Sequence, residues 1–570
     1  MKNLEIARMF YEMAYILEMQ NVQWKPQAYR HAAKSIEALS EDIEDVAKRW
    51  KLREISGVGE KLAEKIEEYI KTGKIKEYAR LKASVPKGIE DFMQIPGMGP
   101  KKAKALVEKL KISTLKQLEE AAKKHKIQNI EGFGEKTEED ILKGLEMKKK
   151  GSERMLLGYA LPIANDIISK LKSLKEVHKI SMAGSVRRMK ETIGDLDILV
   201  TSSNHDKVMD FFTKMKDVKN VLAKGTTKSA VVLKNGLQVD VRVLDDRSFG
   251  SALNYFTGSK EHNVKLREFA IKKGYKLSAY GLFNRKTNKQ VAGKTEEEVY
   301  AKLGLPYIEP ELREDRGEID AAMKRKLPKL IALKDIKGDL HVHTKYTDGD
   351  NTIEEMALAA KKRGYEYICI SDHSQSQHIS HGLNPKMLEK QLAEIKKVQK
   401  KISGIKILAG SEVDIKADGT LDLPDSTLKK LDVVIASVHS GFKSPKEVMT
   451  KRIVKALQNP YVTILAHPTG RLINEREPYA VDLDAVFDAA KKYNVALEIN
   501  SFPDRLDLND SNIINAKKKG CRFAIETDAH STDQLHLIGL GVATARRGWV
   551  EKKDVINTLS LKELEKRLKK

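Results

Sequence analysis

At 570 residues the chain is longer than one hydrophobic core usually supports, and with 41% hydrophobic and 32% charged residues it is neither wholly disordered nor fibrous. Its formal charge of +23 makes a polyanion the natural partner, because each Lys or Arg that meets a phosphate releases a condensed counterion; nucleic acid is favoured over a membrane. Apolar positions near the N-terminus are interleaved with Lys, Glu and Arg, and no later apolar run approaches the roughly 20 residues of a membrane span, so a cytoplasmic protein is expected. Cys369 and Cys521 sit inside apolar runs and read as buried free thiols of a reducing compartment.

Residues 1–150 show helical periodicity broken by a repeated apolar-x-Gly-apolar-Gly turn: Ile55-Ser56-Gly57-Val58-Gly59, Ile95-Pro96-Gly97-Met98-Gly99 and Ile130-Glu131-Gly132-Phe133-Gly134. A glycine pair ahead of a helix lets backbone N–H groups converge on an anion at the positive helix end, and a DNA phosphate is the obvious guest. From about 151 to 250 the period changes to two, in Val177–Ala183, Asp195–Val200, Ala230–Leu233 and Leu237–Leu244, which predicts a sheet with flanking helices. A helix-rich stretch follows to about 317, and the charge-dense segment Glu311–Leu333 reads as an interdomain linker. Beyond 336, short apolar strands alternate with helical patterns: Asp339–His343, Tyr367–Ile370, Ile405–Leu408, Val433–Ala436, Val462–Leu465, Val495–Ile499 and Phe523–Ile525. Such alternation implies a parallel sheet, and that many units favours a barrel over an open sheet.

The glycine turns resemble helix-hairpin-helix motifs, and the stretch from Gly57 to Ile66 is similar to the small lyase domain of polymerase beta. By that resemblance Lys65 falls on the Schiff-base lysine, whose neutral amine a nearby positive charge such as Lys61 would favour; the other reading is a solvated helix lysine. The same resemblance makes Gly57, Gly59, Lys61, Gly97, Gly99, Gly132 and Gly134 DNA contacts, joined by Lys25 and Tyr29, with Pro26 departing from the pattern.

Gly184-Ser185-Val186-Arg187-Arg188 follows one predicted strand, and Gly194-Asp195-Leu196-Asp197 opens the next. Residues two apart on a strand share a face, so Asp195 and Asp197 point one way while Leu196 and Ile198 enter the core. Asp240 lies between the buried Val239 and Val241 of a further strand; if the two strands are neighbours, the three carboxylates can hold two divalent ions about 3.5–4 Å apart, a geometry suited to phosphoryl transfer. In order and type these residues closely resemble the palm of the family X DNA polymerases. The resemblance implies that Ser185, Arg188, Gly184, Gly194 and Arg154 bind the β- and γ-phosphates. It also implies that Tyr255, Phe256 and Gly258 lie along the sugar, and that Asn263 and Arg267 read the new base pair. Lys260 stands where the family has an acid.

His341 and His343 share one face of the first barrel strand, and later strand ends supply Asp348, His373, Glu412, His439, His467, Asp528 and His530. Barrel sites are assembled from the C-terminal ends of strands, and this donor set suits Zn²⁺, Mn²⁺ or Fe²⁺ in more than one position. The series resembles the polymerase and histidinol phosphatase (PHP) domain. That resemblance implies one ion on His341, His343, Glu412 and Asp528, a second on Glu412, His439 and His467, and a third on Asp348, His373 and His530.

Together these readings predict a multidomain α and α/β chain. Its expected parts are a helical lyase-like domain at 1–82, a helical domain with two hairpin turns at 83–150, a nucleotidyltransferase palm at 151–250, a helical thumb at 251–317, a linker at 318–335 and a seven-stranded PHP barrel at 336–570. The implied activity is gap filling in DNA repair with Mg²⁺ or Mn²⁺, joined to 3′–5′ exonuclease or 3′-end cleaning, with abasic-site lyase or endonuclease activity as an additional expectation. The implied partners are gapped or primer-template DNA and dNTPs, bound by a monomer. The alternative is a DNA phosphoesterase whose polymerase half mainly binds DNA.

Overall fold

The computed structural model describes residues 2–20, 22–37, 43–85, 89, 92, 95, 98, 100–130, 132–135, 137–139, 141–142, 145 and 154–568. The N-terminal part is helical, as its 3.6-residue periodicity requires. Ile6, Phe10, Met13 and Leu17 line one face of helix Lys2–Met19 and pack on Tyr29, Ala32, Ala33 and Ile36 of helix Lys25–Glu37. The same apolar core continues through Ile66, Phe92, Leu106, Leu118 and Ile127, so the two helical units read from the sequence share one interior. Helix Leu115–Lys123 starts at a capping box, in which the Thr114 hydroxyl accepts from Gln117 N while the Gln117 side chain returns to Thr114 N.

The central sheet has the strand order Val177–Met182, Asp195–Ser202, Gln238–Leu244, Lys228–Leu233, Val218–Lys224. The strand Val218–Lys224 escapes the sequence reading because it is an edge strand with an almost fully exposed run of side chains. Asp195–Ser202 and Gln238–Leu244 are adjacent and parallel, with Asp197 directly opposite Asp240. Leu196, Ile198, Val200, Val239, Val241 and Val243 turn to the opposite face and pack under helices Leu157–Lys172 and His205–Thr213. The predicted helical thumb is mixed. Helices Phe249–Thr257, Lys260–Lys272 and Glu296–Leu303 enclose a small antiparallel sheet of Tyr275–Ser278, Gly281–Asn284 and Gln290–Ala292, strands too short to show a period.

The stretch read as a linker is packed rather than extended. It holds the short helix Glu318–Met323, and Arg313, Glu318, Ile319, Ala322 and Ile331 are buried. The C-terminal unit is a seven-stranded parallel sheet in strict chain order, nearly closed by a bridge from Val342 at the end of the first strand to Ala529 beyond the last. It is not a separate body, because its Phe502, Leu506, Leu537 and Leu540 complete the core of the central sheet. Gly158 allows the close approach: a Cβ there would lie 2.7 Å from Pro503 Cβ and 3.1 Å from Leu540 Cδ1. No described helix is long and apolar enough to cross a membrane.

Candidate active sites

The palm carboxylates sit where the sheet register puts them. Gly184 has φ +64, and a Cβ on it would stand 2.8 Å from Asp197 Oδ2, so the turn can pass this close only as glycine. Burial, together with the charges of Asp195 and Asp240, pushes the Asp197 carboxyl up to about 6. Carboxylates crowded together in this way fit a divalent cation. Asp240 is half-neutralised instead, since Lys228 Nζ lies 2.7 Å from Oδ2 and Gln238 Nε2 donates to Oδ1 at 2.9 Å. Lys228 is absent from the sequence reading; its place opposite Arg242 on the neighbouring strand appears only once the strands pair.

Above them lies a cleft of ≈ 470 Å³ in which Gly184, Ser185 and Arg188 of the palm face Asp195 and Asp197, with Arg154 and Lys190 at one side. Tyr255, Phe256, Gly258, Lys260, Asn263 and Arg267 form its thumb wall. Gly194 immediately precedes the strand Asp195–Ser202 and does not line this cleft. Asn263 Nδ2 donates to Tyr255 O at 2.7 Å, and Arg267 Nε donates to Asn263 O at 3.2 Å, which ties the three thumb-wall residues together. Arg154 is braced on Thr192, with Nε to Oγ1 at 2.9 Å and a second nitrogen to the carbonyl at 2.6 Å. The two adjacent arginines part company. Arg187 turns into the thumb to Glu296, Thr257 and Tyr307, whereas Arg188 stays at the cleft, held by Glu314 Oε1 at 2.9 Å and by the Thr257 carbonyl.

In the barrel all nine predicted ligand-type side chains converge. His343, Asp348, His373 and His530 form one group whose donor atoms lie within 4.8 Å of one another; His341, His343 and Asp528 form a second, and His373, Glu412 and His439 a third. Glu412 stands at the centre. Its Oε1 is 3.0 Å from His467 Nε2 and 3.2 Å from His439 Nε2, while Oε2 is 3.5 Å from His341 Nε2 and 2.8 Å from His373 Nδ1. Many of these atoms approach without hydrogen-bond alignment: His341 Nε2, both nitrogens of His343, His373 Nδ1 and Glu412 Oε2 are buried and have no hydrogen-bond partner. Converging lone pairs that do not satisfy each other are what a cation would satisfy, so the donor set fits metal. Burial and the neighbouring His530 and His373 push His343 down to about 3, keeping its imidazole neutral and able to donate a lone pair.

A second ring of carboxylates orients these imidazoles. Glu498 accepts from His341 Nδ1 at 2.7 Å and Asp414 from His439 Nδ1 at 2.6 Å, which leaves each Nε2 facing the centre. Glu498 comes from the one strand without a ligand at its end, and an isolated Glu inside Val495–Ile499 was the signal that could have found it. Asp372, fully buried, fastens the Thr344 and Thr347 turn.

The N-terminal residues are placed less uniformly. Gly57 and Gly132 have φ +66 and +85, and Gly59 and Gly134 face open space; Gly97 and Gly99 lie outside the described residues. Lys25 and Lys61 are exposed, but Tyr29 is only 5% exposed and packs edge-on against Phe10, a core position rather than a surface contact. Lys65 Nζ faces Glu77 at 3.0 Å and donates to the Lys61 carbonyl.

Family models match in chain order: a helix-hairpin-helix domain over residues 1–75, a SAM-like helix-hairpin-helix tandem over 89–147, a DNA polymerase beta palm over 161–255, a DNA polymerase beta thumb over 252–314 and a PHP domain over 339–502. The chain is 39% identical to the DNA polymerase/3′-5′ exonuclease PolX of Bacillus subtilis across 573 aligned residues, 100% of both proteins. The chain belongs to the PolX family. Shorter matches link this PolX chain to probable phosphatases. One, from Thermoanaerobacter sp., is 34% identical over 236 residues, 39% of this chain and 89% of that protein. Another, from Caldanaerobacter subterraneus, is 35% identical over 208 residues, 34% and 75% of the two lengths.

Proposed function

We propose that this PolX chain extends DNA 3′ ends with dNTPs in the palm–thumb cleft, trims or cleans 3′ ends in the barrel, and thereby fills short gaps during DNA repair. The single observation that carries the reading is the cleft that sets Ser185 and Arg188 beside Asp195 and Asp197. Ser185, Arg188, Arg154 and the backbone at Gly184 bind the triphosphate. Tyr255, Phe256 and Gly258 lie along the sugar, and Asn263 and Arg267 read the nascent pair; Lys260 brings a cation to the thumb wall in place of an acid. Asp195, Asp197 and Asp240 would hold Mg²⁺ or Mn²⁺, whose charge would neutralise phosphate oxygens and acidify the primer 3′-OH. Asp240, fixed by Lys228 and Gln238, is placed to accept the 3′-OH proton.

In the barrel, His341, His343, Glu412 and Asp528 would hold one ion, Glu412, His439 and His467 a second, and Asp348, His373 and His530 a third, with Zn²⁺, Mn²⁺ and Fe²⁺ all compatible with the donor types. Such ions supply Lewis acidity toward a phosphodiester and lower the pKa of water. Glu498 and Asp414 hold the imidazoles in the tautomers that present Nε2. The exposed Gly59 and Gly134 turns approach the DNA backbone. Lys65, paired with Glu77, would be the Schiff-base lysine of an abasic-site lyase activity, and the enzyme acts as a monomer.

The test is primer extension and 3′ trimming on 5′-labelled one-nucleotide-gapped DNA with Mg²⁺ or Mn²⁺, comparing parent, Asp197→Ala and His343→Ala. Extension lost only in the first and trimming lost only in the second establishes two independent sites. Absence of extension from the parent leaves a DNA phosphoesterase whose polymerase half binds DNA.

A further inference from the structure

The helix Ile538–Arg547 belongs to the barrel, yet its last residue ends in the polymerase half. Arg547 is buried, and one of its terminal nitrogens donates both to Glu314 Oε1 at 2.9 Å and to the backbone carbonyl of Arg188 at 2.7 Å. Its other terminal nitrogen donates to Asp510, which also pairs with Arg316 at 3.2 Å. The same Glu314 Oε1 accepts from Arg188 Nε at 2.9 Å. One carboxylate oxygen is therefore shared between an arginine of the barrel and the arginine that faces the triphosphate end of the cleft.

We propose that Arg547 is a positioning residue for nucleotide binding: by holding Glu314 and the Arg188 carbonyl, it sets where the Arg188 guanidinium points, so the barrel completes the polymerase site. The argument rests on the reading of Arg188 as a triphosphate ligand. While Arg547 engages it, Glu314 Oε1 divides its charge between two guanidinium groups, and Arg188 keeps donors for an anion. Without Arg547, Glu314 is left to Arg188 and to Lys190, whose Nζ lies 3.9 Å from its Oε2; a carboxylate and a guanidinium then favour a bidentate, fork-to-fork pair, which turns the guanidinium away from the cleft. The anchored carbonyl of Arg188 is lost at the same time, so both ends of the residue are released.

Steady-state gap filling with the full chain tests this. Arg547→Gln raises the KM for dNTP roughly tenfold, the size of one charge-assisted hydrogen bond, with little change in kcat and none in barrel nuclease activity. Arg547→Lys, which keeps the charge but cannot reach all three partners, falls between parent and Arg547→Gln, and guards against a variant that fails to fold. In an Arg188→Ala background Arg547→Gln adds nothing further, because the group it positions is gone. A KM for dNTP that Arg188→Ala raises but Arg547→Gln leaves alone overturns the inference, as does an equal rise from Arg547→Gln in both backgrounds. A KM unmoved by Arg188→Ala removes the triphosphate reading itself, and the inference with it.

Discussion

Glu296 is the pivot of the palm–thumb junction, and replacing it with Gln tests how that junction is held. Its Oε1 accepts from Arg187 at 3.0 Å and from the fully buried Arg313 at 2.6 Å; its Oε2 accepts from Arg187 at 2.5 Å and from Tyr307 at 3.0 Å. Burial opposes ionisation, but the charges of Arg313 and Arg187 outweigh it and hold the carboxyl down to about 2, against 4.5 for a free one. That interval corresponds to about 3 kcal/mol favouring the folded state at neutral pH. Breaking a buried pair by removing one charge costs about 3–5 kcal/mol in general, because Arg313 is left uncompensated. Glu296→Gln keeps the shape and removes the charge, so a loss of about 3 kcal/mol is expected. The sign with pH follows from a depressed folded-state pKa: the contribution is fully present above about 4.5 and is lost as pH falls toward 2. Urea unfolding of parent and variant at several pH values reads the difference directly. It should be full at pH 7 and narrow steadily below 4.5. A difference under about 1 kcal/mol at pH 7, or one that does not depend on acid, refutes the reasoning.

Because burial and the neighbouring Asp195 and Asp240 push the Asp197 carboxyl up to about 6, protons compete with a bound cation below that pH, and the Mg²⁺ or Mn²⁺ concentration for half-maximal extension should rise up to about tenfold per pH unit. Metal titrations at pH 5, 6 and 7.5 that coincide would contradict the placement of Asp197. Glu498→Gln should reduce barrel metal content and nuclease activity by about 10–100-fold while extension persists, read by mass spectrometry of the purified protein and by 3′ trimming. Gly158→Val drives side-chain atoms into Pro503 and Leu540, and should destabilise the palm–barrel seam by about 1–3 kcal/mol, seen as a lower melting temperature and faster proteolysis; an unchanged melting profile would mean the two units do not depend on each other.

Much of both sites was legible because their residues are tied to local period. Asp195 and Asp197 share a face whatever the sheet does, and the apolar flanks of Asp240 left it no other side to occupy. The barrel ligands followed the ends of successive strands, so their convergence needed only the barrel itself. The three short thumb strands and the exposed edge strand Val218–Lys224 were not legible, since strands this short or this solvated carry no apolar alternation.

The amino-acid sequence by itself determined the order of the units, the face of each carboxylate and imidazole, and the chemistry those groups suit, because spacing within one strand or helix fixes direction. Only the tertiary structure decided that Arg187 turns into the thumb onto Glu296, that Lys228 holds Asp240, that Tyr29 is core, and that Phe502, Leu537 and Leu540 finish the palm interior. Glu314 and Arg547 meet across 233 residues of chain. No local periodicity encodes such a pair; it forms because the packed core of palm and barrel brings the buried Arg547 and the partly buried Glu314 within reach of each other.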